Sequence, residues 1–225
     1  MNMGKTICLR LALFVLLLIA TGSAQAQTAT VPRSEHPNPI MMRAGWQTLN
    51  GRWEFEFDDA DRGIAERWFD GNKKFSKTIQ VPFAFQSKLS GIGDTAFHDV
   101  VWYRRTAQIP ESFRRGKRVM LNFGAVDYEA AVWVNGDRAG DHRGGHVGFA
   151  LDITDYLKPG DNVIVVRVWD PGTDRSIPRG KQYWRPKSES IWYTRTTGIW
   201  QPVWIEAVDP VHIKRLRVTP DVDQS

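Results

Sequence analysis

Three stretches decide the fold: residues 118–140, RVMLNFGAVDYEAAVWVNGDRAG; residues 148–170, GFALDITDYLKPGDNVIVVRVWD; and residues 197–206, TGIWQPVWIE. In each, apolar side chains alternate with polar ones, the period of a strand with one buried face. The alternation is broken at Asn135-Gly136, a dipeptide suited to a two-residue hairpin turn, and at Pro159-Gly160-Asp161-Asn162. Short antiparallel strands stacked in two sheets follow from this pattern.

Working outward, Leu49 to Phe57 places Trp53, Phe55 and Phe57 on one face and charged residues on the other, so it reads as a half-buried strand. Further strands are expected at 78–81, 101–109, 118–123, 129–134, 148–153, 162–169 and 199–208. Helical periodicity is nearly absent; the best case is one turn at Thr154 to Leu157. Many short strands with Gly/Pro/Asn turns and no strand–helix alternation predict an all-β sandwich, and the long excursions between some strands favour jelly-roll connections. The segment 27–45, with Pro32, Pro37 and Pro39, reads as a linker, and order is expected to begin near Trp46. After Asp209-Pro210 a new strand-like run, Val211 to Val218, begins.

The chain starts with Lys5 and Arg10, an apolar run from Leu11 to Ala20, and Ala24-Gln25-Ala26, the pattern of a secretory signal peptide over 1–26. The run is about half the roughly 20 residues of a membrane span, so a cleaved leader and a soluble product, periplasmic or secreted, are expected, with no membrane partner afterwards. Cleavage removes Cys8, the single cysteine, leaving no disulfide or thiolate and requiring a core that holds without staples. It also takes two basic residues and no acid, lowering the formal charge from +5 to +3. Acids and bases interleave, which argues against nucleic acid as a partner.

Hydrolytic or metal chemistry has little to build on. The acids nearest the informative motifs, Asp94, Asp99, Asp127, Glu129, Glu189 and Glu206, read as structural or surface groups, and Glu206, alternating with Val203, Ile205 and Ala207, is expected to face solvent. His98, His142 and His146 fall among loop residues and glycines rather than on one helix face, so no metal site is expected. No glycine-rich loop opens a helix, and no cofactor is implied. Ten tryptophans do suit carbohydrate stacking. Trp53, Trp102, Trp133, Trp169, Trp200 and Trp204 lie in strands and are core candidates. Trp184 and Trp192 instead sit in a long segment, Asp170 to Thr197, rich in Arg, Lys and Tyr, which is too long and too aromatic for a passive connection. Its candidate ligand-facing or interface residues are Trp184, Arg185, Glu189, Trp192, Tyr193 and Arg195.

Leu49-Asn50-Gly51-Arg52-Trp53, Trp102-Tyr103-Arg104-Arg105, Val132-Trp133-Val134-Asn135-Gly136 and Thr197-Gly198-Ile199-Trp200 together resemble the N-terminal sugar-binding domain of family 2 glycoside hydrolases, the group of β-galactosidases, β-glucuronidases and β-mannosidases. The resemblance implies a galactose-binding-domain-like jelly roll over 46–208, and the start of an immunoglobulin-like domain over 209–225. It implies a β-glycoside as substrate, and catalysis in a later barrel domain where the acid is a Glu following an Asn. No Asn-Glu dipeptide occurs here, so no residue of this chain takes the catalytic role, and the immunoglobulin-like and barrel domains are the expected partners. Several members offer an acid to the terminal sugar from the loop before the Gly-Ile-Trp strand; here no acid lies between Glu189 and Gly198, leaving Glu189, Trp192 or Arg195 to replace it. A stand-alone carbohydrate-binding module is the alternative.

Overall fold

The computed structural model describes residues 31–222; the leader expected at 1–26, residues 27–30 of the expected linker and residues 223–225 lie outside them. The alternating segments form strands β1 (Trp46–Thr48), β2 (Gly51–Phe57), β3 (Lys77–Val81), β4 (Val100–Gln108), β5 (Arg118–Phe123) and β6 (Val126–Asp127). They continue with β7 (Glu129–Val134), β8 (Asp137–Arg143), β9 (Phe149–Asp152), β10 (Asp161–Trp169), β11 (Gly198–Ile199) and β12 (Val203–Val208). A six-stranded sheet runs β3-β2-β4-β10-β7-β8, a four-stranded sheet runs β1-β12-β5-β9, and β11 pairs with β6. Every pairing between these strands is antiparallel.

The expected all-β sandwich is what forms. Trp53, Phe55, Tyr103, Val132 and Val166 from the larger sheet meet Leu121, Phe123, Val203 and Ile205 from the smaller one in the main core. The hairpin between β7 and β8 turns at Asn135 and Gly136, whose φ angles of 54° and 92° match the left-handed turn that Asn-Gly favours.

Odd and even positions part company on the larger sheet. Trp102, Trp133 and Val165 point to its outer side, where Trp68 and Phe75 cover them in a second apolar cluster. Asp58 holds that cover in place by accepting from Trp102 Nε1 at 2.9 Å and from the amides of Arg62 and Gly63 at 2.8 Å each. A Cβ at residue 63 would stand 2.6 Å from the Trp102 ring, so only glycine fits beneath it.

The segment 31–45, expected as a linker with order starting near Trp46, packs on the sandwich. His36 is buried, with ring centroids 4.7 Å from Trp46 and 6.4 Å from Trp204. Its cover overturns the expectation for Glu206: that carboxylate is 4% exposed, within ion-pair reach of Arg43 at 2.5 Å and of His36 at 3.4 Å, and accepts from Trp204 Nε1. Alternation put Glu206 on the outer side of its sheet correctly, but the outer side is roofed by the preceding segment.

Asn50 explains one sequence motif. Buried, it donates through Nδ2 to the carbonyls of Pro32 and Arg33, and its Oδ1 accepts from Val203 N–H. Three other departures are local. The edge strand β8 went unread because its exposed, charged sequence carries no apolar alternation. A short helix, α1 (Glu111–Arg114), joins β4 to β5. The run Val211 to Val218 forms no strand: it is exposed and pairs with no strand edge among the described residues.

Candidate functional site

Because Trp169 at the end of β10 pairs with Val100 at the start of β4, the loop after one and the loop before the other leave the sandwich from the same end. Asp170 N–H donates to Asp99 O at 2.8 Å and Gly172 N–H to Asp99 Oδ1 at 3.0 Å. Trp200 Nε1 donates to Gly145 O at 2.7 Å, drawing in the glycine-rich turn after β8. The site is the composite of these three loops.

Arg195 is the internal brace. Its guanidinium donates to the carbonyls of Tyr183, Arg185 and Thr95 and lies 3.7 Å over the Phe97 ring, with the residue 4% exposed. It therefore points into the domain, whereas the sequence suggested a ligand-facing cation. Gln182 works beside it, donating to Asp127 Oδ2 at 2.6 Å and accepting from Thr196 N–H at 2.6 Å. Gly145 must lack a side chain because a Cβ would lie 2.1 Å from Asp127 Oδ1.

Two buried carboxyls underlie the loop. Burial pushes Asp127 up to about 6, a rise tempered by the Gln182 hydrogen bond and the Arg179 charge. Burial pushes Asp170 up to about 7, Asp127's charge adding to the rise while the Thr197 hydroxyl bond and Arg179 oppose it. An acid whose folded pKa is raised contributes no penalty below its unfolded value near 4 and destabilises progressively as pH climbs to the folded value. Asp170→Asn, which keeps an oxygen for Thr197, should therefore gain stability relative to wild type between pH 5 and pH 8, by about 1–3 kcal/mol at the upper end. Thermal melts at both pH values check this; a difference that does not grow with pH refutes it.

The outer part of the loop is aromatic. Tyr183 and Trp192 stack with centroids 6.0 Å apart and planes 9° from parallel, and Trp184 meets Trp192 edge-on at 4.9 Å. Arg175 covers Trp184 at 4.5 Å, and Tyr183 OH donates to Glu189 Oε2 at 3.0 Å. Tyr193 is 65% exposed, although its main chain is fixed by exchange with Lys181 and Tyr183. Of the six candidates, Trp184, Glu189 and Trp192 thus gather around Tyr183, Tyr193 and Arg185 lie exposed at the rim, and Arg195 braces from below. Sequence reading missed Gln182 and Asp170, and named Asp127 only as a structural or surface acid, of which the structure shows the buried, structural kind.

The histidines serve packing. His98 stacks on Phe57 and contacts Asp59 and Asp94, His142 stacks on Phe149, and His146 meets Trp200 edge-on. Among the described residues, no group of three or more His, Cys, Asp or Glu side chains is placed to hold a metal. No helix there is long and apolar enough to cross a membrane.

The class that the fold defines is a two-sheet jelly-roll sandwich, here carrying an aromatic and arginine-rich loop cluster at one end. Residues 46–185 match the sequence pattern of glycosyl hydrolases family 2, sugar binding domain, and the chain belongs to that family. It is similar to a β-galactosidase of Thermoanaerobacter pseudethanolicus, 30% identical over 170 residues that cover 75% of this chain and 20% of that protein. It is also similar to the β-glucuronidase of Canis lupus familiaris, 28% identical over 202 residues, with 78% and 30% covered. Among solved structures, a β-glucuronidase from an uncultured Clostridium sp. superposes with a TM-score of 0.59 at 24% identity, over 76% of this chain and 30% of that one. The Ruminococcus gnavus enzyme in complex with uronic deoxynojirimycin gives 0.58 at 22% identity, over 75% and 30%. The chain spans 20–30% of the length of these relatives.

Proposed function

We propose that residues 46–208 are the carbohydrate-binding domain of an exported enzyme that hydrolyses β-glycosides, and that the 170–197 loop forms one wall of its active site. The observation that carries this is the coincidence of the family membership with the Tyr183, Trp184 and Trp192 cluster, half-open at the same end as the Asp127 and Asp170 anchors. Aromatic rings present apolar faces to the C–H side of a sugar while arginine and carboxylate groups serve its hydroxyls. The two hydrolytic carboxyls are assigned to the part of the relatives' length that this chain does not span, and residues from 209 onward to the next domain.

Glycoside hydrolysis needs an acid and a nucleophile or base on opposite sides of the bond, whereas Asp127 and Asp170 are buried and engaged by Gln182 and Thr197. Purified residues 27–225 should hydrolyse aryl β-galactosides, β-glucuronides and β-mannosides no faster than buffer. Activity that persisted through purification and vanished on replacing one acid of this chain would overturn the assignment.

A further inference from the structure

A second concave feature lies well away from the loop cluster. β2 and β4 pair only from Glu54 to Phe57, and towards Gly51 the two strands part. Arg105 stands in the fork, its Nη1 donating to the carbonyls of Asn50 and Arg52, each at 3.2 Å. Its Nε is buried with no hydrogen-bond partner. Among the described residues it joins no ion pair, its other contact being the Trp53 ring at 5.9 Å, whereas its neighbour Arg104 pairs with Glu54, donates to the carbonyls of Gly71 and Lys73, and lies over the Phe75 ring.

The surroundings are complementary to an anion. A groove of about 470 Å³ opens over Arg105, lined also by exposed Arg52, Thr78 and Thr106. None of these three side chains has a hydrogen-bond or ion-pair partner among the described residues. Glu54 is the single carboxylate at the groove, and Arg104 already neutralises it. Burial without a compensating acid holds Arg105 below the ordinary guanidinium value. A half-buried cation lacking a counter-charge is an uncommon arrangement, since such charges are normally paired.

We propose that this fork is an accessory oxyanion site, in which the Arg105 and Arg52 guanidiniums and the Thr78 and Thr106 hydroxyls take the carboxylate or sulfate group of an acidic saccharide. Guanidinium forks match such groups in geometry as well as charge. Only the saccharide part rests on the carbohydrate-binding reading above; the oxyanion chemistry stands on the fork itself. Residues 104–106 lie in the half of β4 remote from Val100, so this site and the 170–197 loop can be probed separately.

The test uses the whole chain and the arginine Nε–H resonances in a nitrogen–proton correlation spectrum, at constant ionic strength, with inorganic sulfate, glucuronate and glucose as probes. Sulfate and glucuronate should shift the Arg105 signal and glucose should not. Arg52→Glu, which alters an exposed side chain and leaves its carbonyl in place, should weaken both anions at least tenfold, and Trp192→Ala should leave them unchanged. An unmoved Arg105 signal with both anions, an equal response to glucose, or wild-type binding by Arg52→Glu would overturn the site. Response to sulfate without glucuronate would overturn the saccharide assignment. None of these results bears on the 170–197 loop, whose own reading is tested separately by whether Trp192→Ala weakens β-glycoside recognition.

Discussion

Trp133→Ala is expected to unfold the domain or leave it barely folded, at a cost of about 3–5 kcal/mol. The ring is 4% exposed, stacks on Phe69 at 5.1 Å with planes 8° apart, and lies 5.6 Å from Trp102. Its loss removes the surface on which the 58–76 segment rests and exposes Trp102 and Val165 together, so the cavity cannot be filled by small shifts of one neighbour. Such a cost is comparable with the whole stability of an ordinary domain. Trp192→Ala should cost far less, about 1 kcal/mol, because that ring is only partly buried and sits on a loop. Urea unfolding followed by circular dichroism compares the two variants; equal midpoints would refute the division between the cover of the sheet and the loop cluster.

The second large effect concerns Arg195→Ala, at a residue the sequence marks as ligand-facing or interfacial and the structure buries. Three main-chain carbonyls lose their donor at once and Phe97 loses its partner, an expected penalty of about 2–4 kcal/mol. The damage should be regional. Hydrogen exchange at the Tyr183, Tyr193 and Thr197 amides should accelerate strongly, while β4 and β10 amides keep wild-type protection. Protection unchanged throughout the loop would show that the arginine is not its brace. The comparison with Trp192→Ala also separates a group that braces the loop from within from one in its outer aromatic cluster.

Much of the sandwich was legible because one-sided burial writes a period of two into the sequence. Trp53, Phe55 and Phe57, or Ile164, Val166 and Val168, point one way for that reason alone. What escaped reading is what covers the other sides. Glu206 alternates correctly yet lies under His36 and Arg43, and Trp102 and Trp133 face outward but are roofed by Trp68, Phe69 and Phe75. Covers of this kind come from segments with no periodicity, rich in proline, glycine and charge. At the site, composition marked the loop and its aromatic cluster. The brace and its buried acids remained hidden, since their roles arise from contacts across long separations, such as Arg195 with Thr95 and Gln182 with Asp127.

The pairing of β1 with β12 joins Trp46 to Glu206, nearly the whole length of the sandwich. Asn50 repeats that closure by holding Val203 and the 32–33 backbone in one hand. During synthesis, therefore, the smaller sheet stays open at its β1 edge until residue 208 has left the ribosome. The apolar residues that will become its inner face wait exposed for that interval, and non-local pairings of this kind form slowly. A pause in translation just before β12 would lengthen the interval in which the nascent chain depends on chaperones, whereas one after it would meet a sandwich already closed.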